Sequence, residues 1–393
     1  MTREVVVVAG VRTAVGGFGG SLKDFSPTQL GAMVVKEVVA RAGVSADQVG
    51  HVVFGHVVNT EPKDMYLSRV AAINGGCAQE TPAYNVNRLC GSAVQSVISA
   101  AQLIQLGQST IALAGGAESM SNGAYLLPQV RRGQRFGHGG ITDLTLGILT
   151  DPFGSGHMGL TAETIAAQYG FKREDLDQFA LQSQQRAAFA QQQGYFDQQI
   201  ASVTVSTRGK DTVFNRDEHI RADTTLQSLA KLKPAFKADG IVTPGNASGL
   251  NDGAAALLLT SQREADKRGL KPRARILGYA FAGVEPAVMG LGPIPAVQQV
   301  LAQTGLSVAD LDVIESNEAF AAQAMAVSQS LGFDNSKVNP NGGAIALGHP
   351  VGATGSMLIV KLLAELERCD GRYGLVTMCI GGGQGIALLV EAL

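Results

Sequence analysis

Ile111-Ala112-Leu113-Ala114-Gly115-Gly116 and Gly374-Leu375-Val376-Thr377-Met378-Cys379-Ile380-Gly381-Gly382 are two uncharged runs that both end in paired glycines. Their surroundings match as well. Val86-Asn87, a glycine-flanked turn and an apolar helical stretch precede the first run. Val338-Asn339, a glycine-rich turn and a helical stretch of about Gly352 to Leu366 precede the second. The order strand, turn, helix, strand, Gly-Gly therefore occurs twice, which points to internal duplication of one α/β unit. Uncharged strands of this kind suit a sheet covered on both faces. Met1 to Gly10, with Val5-Val6-Val7-Val8 at its centre, reads as a further strand.

Between the two copies, residues 120–250 differ in character. Arg131-Arg132, Arg135 and His138 sit in a loop-rich stretch, helical patterns cover 161–170 and 174–193, and Arg208 to Lys237 carries seven Lys/Arg against four Asp/Glu. This segment reads as an inserted lobe. The chain as a whole, 393 residues with 45% apolar and 16% charged, has enough material for a large core and the wrong balance for disorder. Its 49 glycines cluster in short runs, as expected of tight turns and close backbone approach. A net charge of −2 without blocks of like charge favours neither nucleic acid nor a membrane surface. The N-terminus lacks the basic start and cleavage site of a signal peptide. The uncharged run from Leu89 to Ala117 is too broken by Gln and Ser for a membrane span. Cys77, Cys90, Cys369 and Cys379 have neither disulfide-framework nor zinc-site spacing, so free thiols and a cytoplasmic location are expected.

Three places carry chemistry. Cys90 lies in Asn87-Arg88-Leu89-Cys90-Gly91-Ser92, just ahead of a helix whose Val94, Val97, Ile98, Ala101 and Ile104 share one face. A helix N-terminus is expected to lower its pKa and favour the thiolate, although a cysteine here reads equally well as a small buried hydrophobe. His349 stands between Gly348 and Pro350 in the second copy, where a base for such a thiol is needed; His51, His56, His138, His157 and His219 have less suggestive surroundings. Cys379 precedes Ile380-Gly381-Gly382-Gly383-Gln384-Gly385, whose amides could form an oxyanion hole. Asn317, after the strand-like Val313-Ile314, could position a water or simply cap a helix. A cysteine pair, a histidine and an asparagine, each expected at a strand end beside glycine, form a constellation.

From Val11-Arg12-Thr13-Ala14 through Gly348-His349-Pro350 to Cys379–Gly385, the chain resembles the thiolases, closely the biosynthetic acetyl-CoA acetyltransferases and bacterial β-ketothiolases. One departure is Ala93, where the family usually has glycine in Cys-Gly-Ser-Gly. Glu61-Pro-Lys-Asp-Met65 is similar to β-ketothiolases that accept longer acyl chains. The resemblance implies a five-layered α-β-α-β-α core of two similar halves with an inserted loop domain. The expected divisions are 1–119 for the N-terminal half, 120–250 for the loop domain, 251–270 returning to the N-terminal half, and 271–393 for the C-terminal half. It also implies a homotetramer, substrates of acetyl-CoA and 3-oxoacyl-CoA type, and no further cofactor or metal. By the same resemblance Cys90 is the acylated nucleophile, His349 its activator and Cys379 the acid/base for the second substrate's α-carbon. Asn317 holds a water, and the amides of Cys90 and Gly381 serve the acyl intermediate. His157, Met158, Arg221, Ser228, Gly245, Ser248, Met289 and Phe320 are the matching coenzyme and substrate contacts. The implied reaction is reversible joining of two acetyl-CoA, with a broader-range 3-oxoacyl-CoA thiolase as the alternative. A ketosynthase normally has a second histidine where this chain has Cys379. A cysteine hydrolase leaves Cys379 and the duplication unexplained, and a non-catalytic lipid-binding relative is expected to lose Cys90 or His349.

Overall fold

The computed structural model describes residues 3–393; Met1 and Thr2, the start of the first expected strand, lie outside it. Nine principal strands are β1 Val5–Thr13, β2 His51–Gly55, β3 Ala83–Val86, β4 Ile111–Ser119, β5 Asn251–Ser261, β6 Ala274–Gly283, β7 Val313–Ser316, β8 Tyr373–Ile380 and β9 Gln384–Ala392. They line up in the order β7-β8-β9-β6-β1-β5-β4-β2-β3. The duplication is visible in this order. The N-terminal strands β2-β4-β5-β1 repeat as β7-β8-β9-β6, and even β3 has a counterpart in the parallel bridge from Val338 to Ile314. The two halves join by hydrogen bonding at their inner strands, where Val6 and Val7 of β1 face Arg275 and Ala274 of β6.

The helices repeat too. In chain order, α1 Pro27–Ala42, α2 Leu67–Asn74 and α3 Ser92–Gln105 belong to the first half. After α4 Met158–Tyr169 and α5 Arg173–Gln192 of the lobe come α6 Pro293–Thr304, α7 Ala321–Leu331 and α8 Thr354–Cys369. Apolar residues of α1 and α2 pack on one outer sheet face, and those of α6 and α7 on the other. Val94, Val97 and Ile98 of α3 share a single buried cluster with Leu358, Ile359 and Leu362 of α8 and with strands of both halves. This gives five layers, helix, sheet, helix, sheet, helix, with α3 and α8 in the middle. Burial on all sides is why α3 and α8 carry apolar residues around most of their circumference.

The lobe's helices α4 and α5 start slightly earlier than their sequence patterns. They pack on α7 through Met158, Ala162, Leu176, Ala180, Phe320 and Ala322. Buried polar contacts fasten the lobe: Arg12 makes a bidentate pair with Asp217 at 2.7 and 2.9 Å, and Asn246 donates to Asp177 at 2.9 Å. Among the described residues, no helix is long and apolar enough to cross a membrane.

Candidate active site

Three glycines decide how the centre is assembled. A Cβ on Gly55, at the end of β2, would stand 2.6 Å from the carbonyl of Gly352 and 2.8 Å from the amide of Ala93. Gly116 of β4 likewise abuts the Gly352 carbonyl, and a Cβ on Gly355 would sit 2.5 Å from the Val94 amide. The start of α3, which follows Cys90, and the turn that follows His349 therefore meet at Gly55, the end of β2, with Gly116 of β4 pressed against the same turn.

The Cys90 turn is built by its neighbours. Leu89 adopts a left-handed φ of 47°. The Asn87 side chain accepts from its amide at 3.0 Å, and Ser92 Oγ donates to its carbonyl at 2.6 Å while accepting from the Arg88 amide at 2.9 Å. Asn87 and Ser92 thus offset the strain of a non-glycine residue in this region.

The expected low thiol pKa is not found. Burial pushes Cys90 up to about 11, against the pull of the Gly381 and Cys90 amides, and nearby Glu118 adds to the rise. The loss of solvent around the thiol outweighs those amide contacts, and α3 itself begins only at Ser92, with Gly91 as its cap. Cys379, 1% exposed in β8, is pushed up by burial and by the neighbouring Cys90. The resting centre therefore holds two thiols.

His349 is a neutral imidazole. Burial lowers it to about 4. Thr354 donates its only hydroxyl proton to the Pro350 carbonyl at 2.8 Å, so its oxygen accepts from His349 Nδ1–H at 2.7 Å. That contact fixes the tautomer and leaves Nε2 as the acceptor, 3.4 Å from the Asn317 amide. Asn251 accepts from the His349 amide at 2.9 Å. His349 follows the short helix Ala344–Leu347, not a strand as its place in the repeat suggested. Gly348 between them has φ 102°, and its missing Cβ leaves room for Asn251. Asn317 directly follows β7 but caps nothing, because α7 starts at Ala321 with Phe320 as its cap. Its Oδ1 is buried without a partner among the described residues.

Around these groups the expected contact residues fall into two sets. Met158, Met289 and Phe320 share the buried cluster of Cys379. Met158 Cε would lie 2.9 Å from a Cβ on Gly381, so this glycine, whose amide contacts the Cys90 sulfur, lets Met158 approach closely. His157 caps α4 by accepting from the Gly159 amide at 3.0 Å, and its ring stacks on Phe236 at 4.5 Å, with Phe236 against Phe320 at 6.1 Å. Ser248 donates its amide to the Ala319 carbonyl just ahead of Phe320. Arg221, Ser228 and Gly245 instead line a cavity of about 240 Å³, together with His219, Leu229 and Ile345. Leu229 and Ile345 also belong to the Cys379 cluster, so this cavity backs onto the reactive centre. Thr354, Asn251 and Glu118 were missed from sequence. The one usable signal was Thr354, five residues after a histidine whose second nitrogen needs a partner.

Fold and centre together define a duplicated acyltransferase with two cysteines and a histidine at the meeting point of its halves. Residues 5–263 match the family model for the thiolase N-terminal domain and residues 270–392 the one for the thiolase C-terminal domain, so the chain belongs to the thiolase family. It is 58% identical to the beta-ketothiolase BktB of Cupriavidus necator over 100% of both chains. The acetyl-CoA acetyltransferase structure from Bacillus anthracis superposes with a TM-score of 0.98 at 46% identity, covering 100% of this chain and 99% of that one. Human mitochondrial 3-ketoacyl-CoA thiolase in complex with CoA gives a TM-score of 0.96 at 43% identity, covering 100% and 98%.

Proposed function

We propose that this enzyme joins two molecules of acetyl-CoA reversibly into acetoacetyl-CoA and free CoA, through an acetyl thioester on Cys90. Supporting it are the family, the named relatives and, above all, a second thiol beside the first with a neutral imidazole in the same centre. In the first half-reaction His349 Nε2 takes the Cys90 proton as the sulfur attacks the acetyl carbonyl. The amides of Cys90 and Gly381 receive the oxyanion. The carbon–sulfur bond to CoA breaks, and the imidazolium returns the proton to the leaving thiolate.

In the second half-reaction Cys379, once ionised, removes an α-proton from a second acetyl-CoA, and the enolate attacks the acetyl-Cys90 carbonyl. The new carbon–carbon bond expels Cys90 as thiolate, which recovers the proton from Cys379. The raised pKa makes Cys379 a strong base that ionises rarely. An acetylated Cys90 carries no charge, so the neighbour that opposes Cys379 ionisation is silenced when the base is needed. Asn317 Oδ1, buried and unpaired, is a suitable acceptor for a water proton at the enolate oxygen.

Incubation with acetyl-CoA followed by peptide mass spectrometry tests the reading. An acetyl group on Cys90 is expected, and its absence removes the covalent mechanism. A broader chain-length range is the second reading, favoured by the flexible Met158 and Met289 in the wall. Thiolysis rates for four-, five-, six- and eight-carbon 3-oxoacyl-CoA substrates separate the two. Within the same proposal the enzyme is a cytoplasmic homotetramer whose substrates serve as its only coenzyme. The exposed Tyr125, Leu126, Leu127, Val130, Phe136 and Ile141 suit a subunit contact, and light scattering of the eluted protein measures the assembly.

A further inference from the structure

His56 comes immediately after β2 and is 4% exposed. Its amide donates to the Val86 carbonyl at 3.1 Å. Its Nδ1 faces the Ala117 carbonyl at 3.0 Å and Glu118 Oε1 at 3.2 Å, and its Nε2 lies 3.9 Å from Asp64 Oδ2. Both carboxylates are 0% exposed, and among the described residues their salt bridges run only to His56. Two buried carboxylates without a counter-charge are strongly unfavourable. Burial lowers the His56 pKa, yet Glu118, the Ala117 carbonyl and Asp64 outweigh it and raise the group to about 9.

Glu118 has a second set of partners. Oε2 accepts from the Gly352 amide at 2.8 Å and the Val57 amide at 3.1 Å, and Oε1 accepts from Val58 at 3.1 Å. Gly352 lies three residues beyond His349, and a Cβ there would stand 3.0 Å from His56 Cα. The carboxylate that grips the base's turn also opposes ionisation of the Cys90 thiol. Asp64 on the opposite side is held by Thr60 and Glu61.

We propose that His56 is a positioning residue of the acyl-transfer site: a buried cation between Glu118 and Asp64, it lets Glu118 hold the His349 turn without exposing Cys90 to an uncompensated negative charge. The inference rests on Cys90 being the acylated thiol. It acts through Glu118, so its mark is a shift in Cys90 ionisation more than a loss of binding.

The test is His56→Asn, which keeps a donor near the Nδ1 position and removes the charge. Iodoacetamide labelling of Cys90, read on its own peptide, is expected to slow about fivefold at roughly pH 8, since one pKa unit is tenfold in thiolate. KM for acetyl-CoA stays close to wild type. Unchanged labelling in a folded variant overturns the proposal. If the variant does not fold, the wild-type profile decides: the logarithm of the labelling rate flattens near pH 9 as His56 loses its charge, and a straight line through that region overturns it. Acetylation by acetyl-CoA in the same samples keeps the two ideas apart. Normal acetyl-Cys90 with an unshifted labelling profile sinks only the role of His56, whereas no acetyl-Cys90 in the wild type sinks the mechanism itself.

Discussion

Thr354 decides which nitrogen of His349 can accept a proton, and it does so with one hydroxyl committed to the Pro350 carbonyl. Thr354→Val leaves the buried Nδ1–H unpaired, a loss of about 1–3 kcal/mol that also releases the tautomer. Acetylation of Cys90 is expected to slow by about tenfold to a hundredfold with little change in KM, and Thr354→Ser should recover most of it. Rapid-quench measurement of the acetyl-enzyme checks both; equal rates in Val and Ser variants contradict the assignment. Cys379→Ala should separate the half-reactions: acetyl-Cys90 still forms, while condensation falls by about a hundredfold or more. Normal condensation by this variant removes Cys379 as the base. Cys90, His349, Cys379 and Asn317 were legible in sequence because each sits among glycines or beside a strand end. The ionisation of Cys90 was not legible, because it depends on burial against the cluster that holds Ile380 and on the Glu118 charge, neither of them a neighbour in the chain.

At the scale of elements, the site depends on how closely strand ends, the α3 start and the His349 turn approach. Gly352 packs against the Glu118 carboxylate and the His56 backbone, so an added methyl must push the turn away. Gly352→Ala is expected to lower kcat/KM about a hundredfold, the effect of roughly 1 Å of misplacement, with the circular dichroism spectrum retained. Gly147→Ala is the control, since a Cβ there meets nothing within 4 Å. Comparable losses in both variants contradict the packing account. The duplicated order of strand, turn and helix was readable from hydrophobic runs and glycine pairs. What periodicity did not reveal was the hydrogen bonding between β1 and β6 that joins the halves, because pairing partners of apolar strands are chosen by tertiary packing. Nor did it reveal the short helix before His349, four residues long and held by neighbours more than by propensity.

Across the whole molecule, two buried histidines tie stability to pH with opposite signs. His349 has a folded pKa of about 4 against an ordinary 6.5, so the unfolded chain binds more protons between those values. Stability contributed by its neutral form is present above 6.5 and lost as pH falls towards 4, by about 3 kcal/mol in all. His56 is raised to about 9, so the folded chain binds more protons between 6.5 and 9. Its contribution is complete below 6.5 and disappears as pH rises through 9. Other buried groups also titrate, Glu315 among them, which is raised to about 7 by burial against the opposing pull of Lys361. Differences between variant and wild type isolate each histidine from that background. His349→Asn should gain stability relative to wild type as pH drops from 6.5 to 4, and His56→Asn should recover relative to wild type as pH climbs from 6.5 to 9. Denaturant unfolding at a series of pH values and one protein concentration measures both differences. Differences that stay flat across these windows mean that neither imidazole carries the burial or the ion pairing assigned to it. The two slopes meet near neutrality, the range in which the proposed mechanism calls for a neutral His349 and the proposed positioning role calls for a charged His56 beside Glu118.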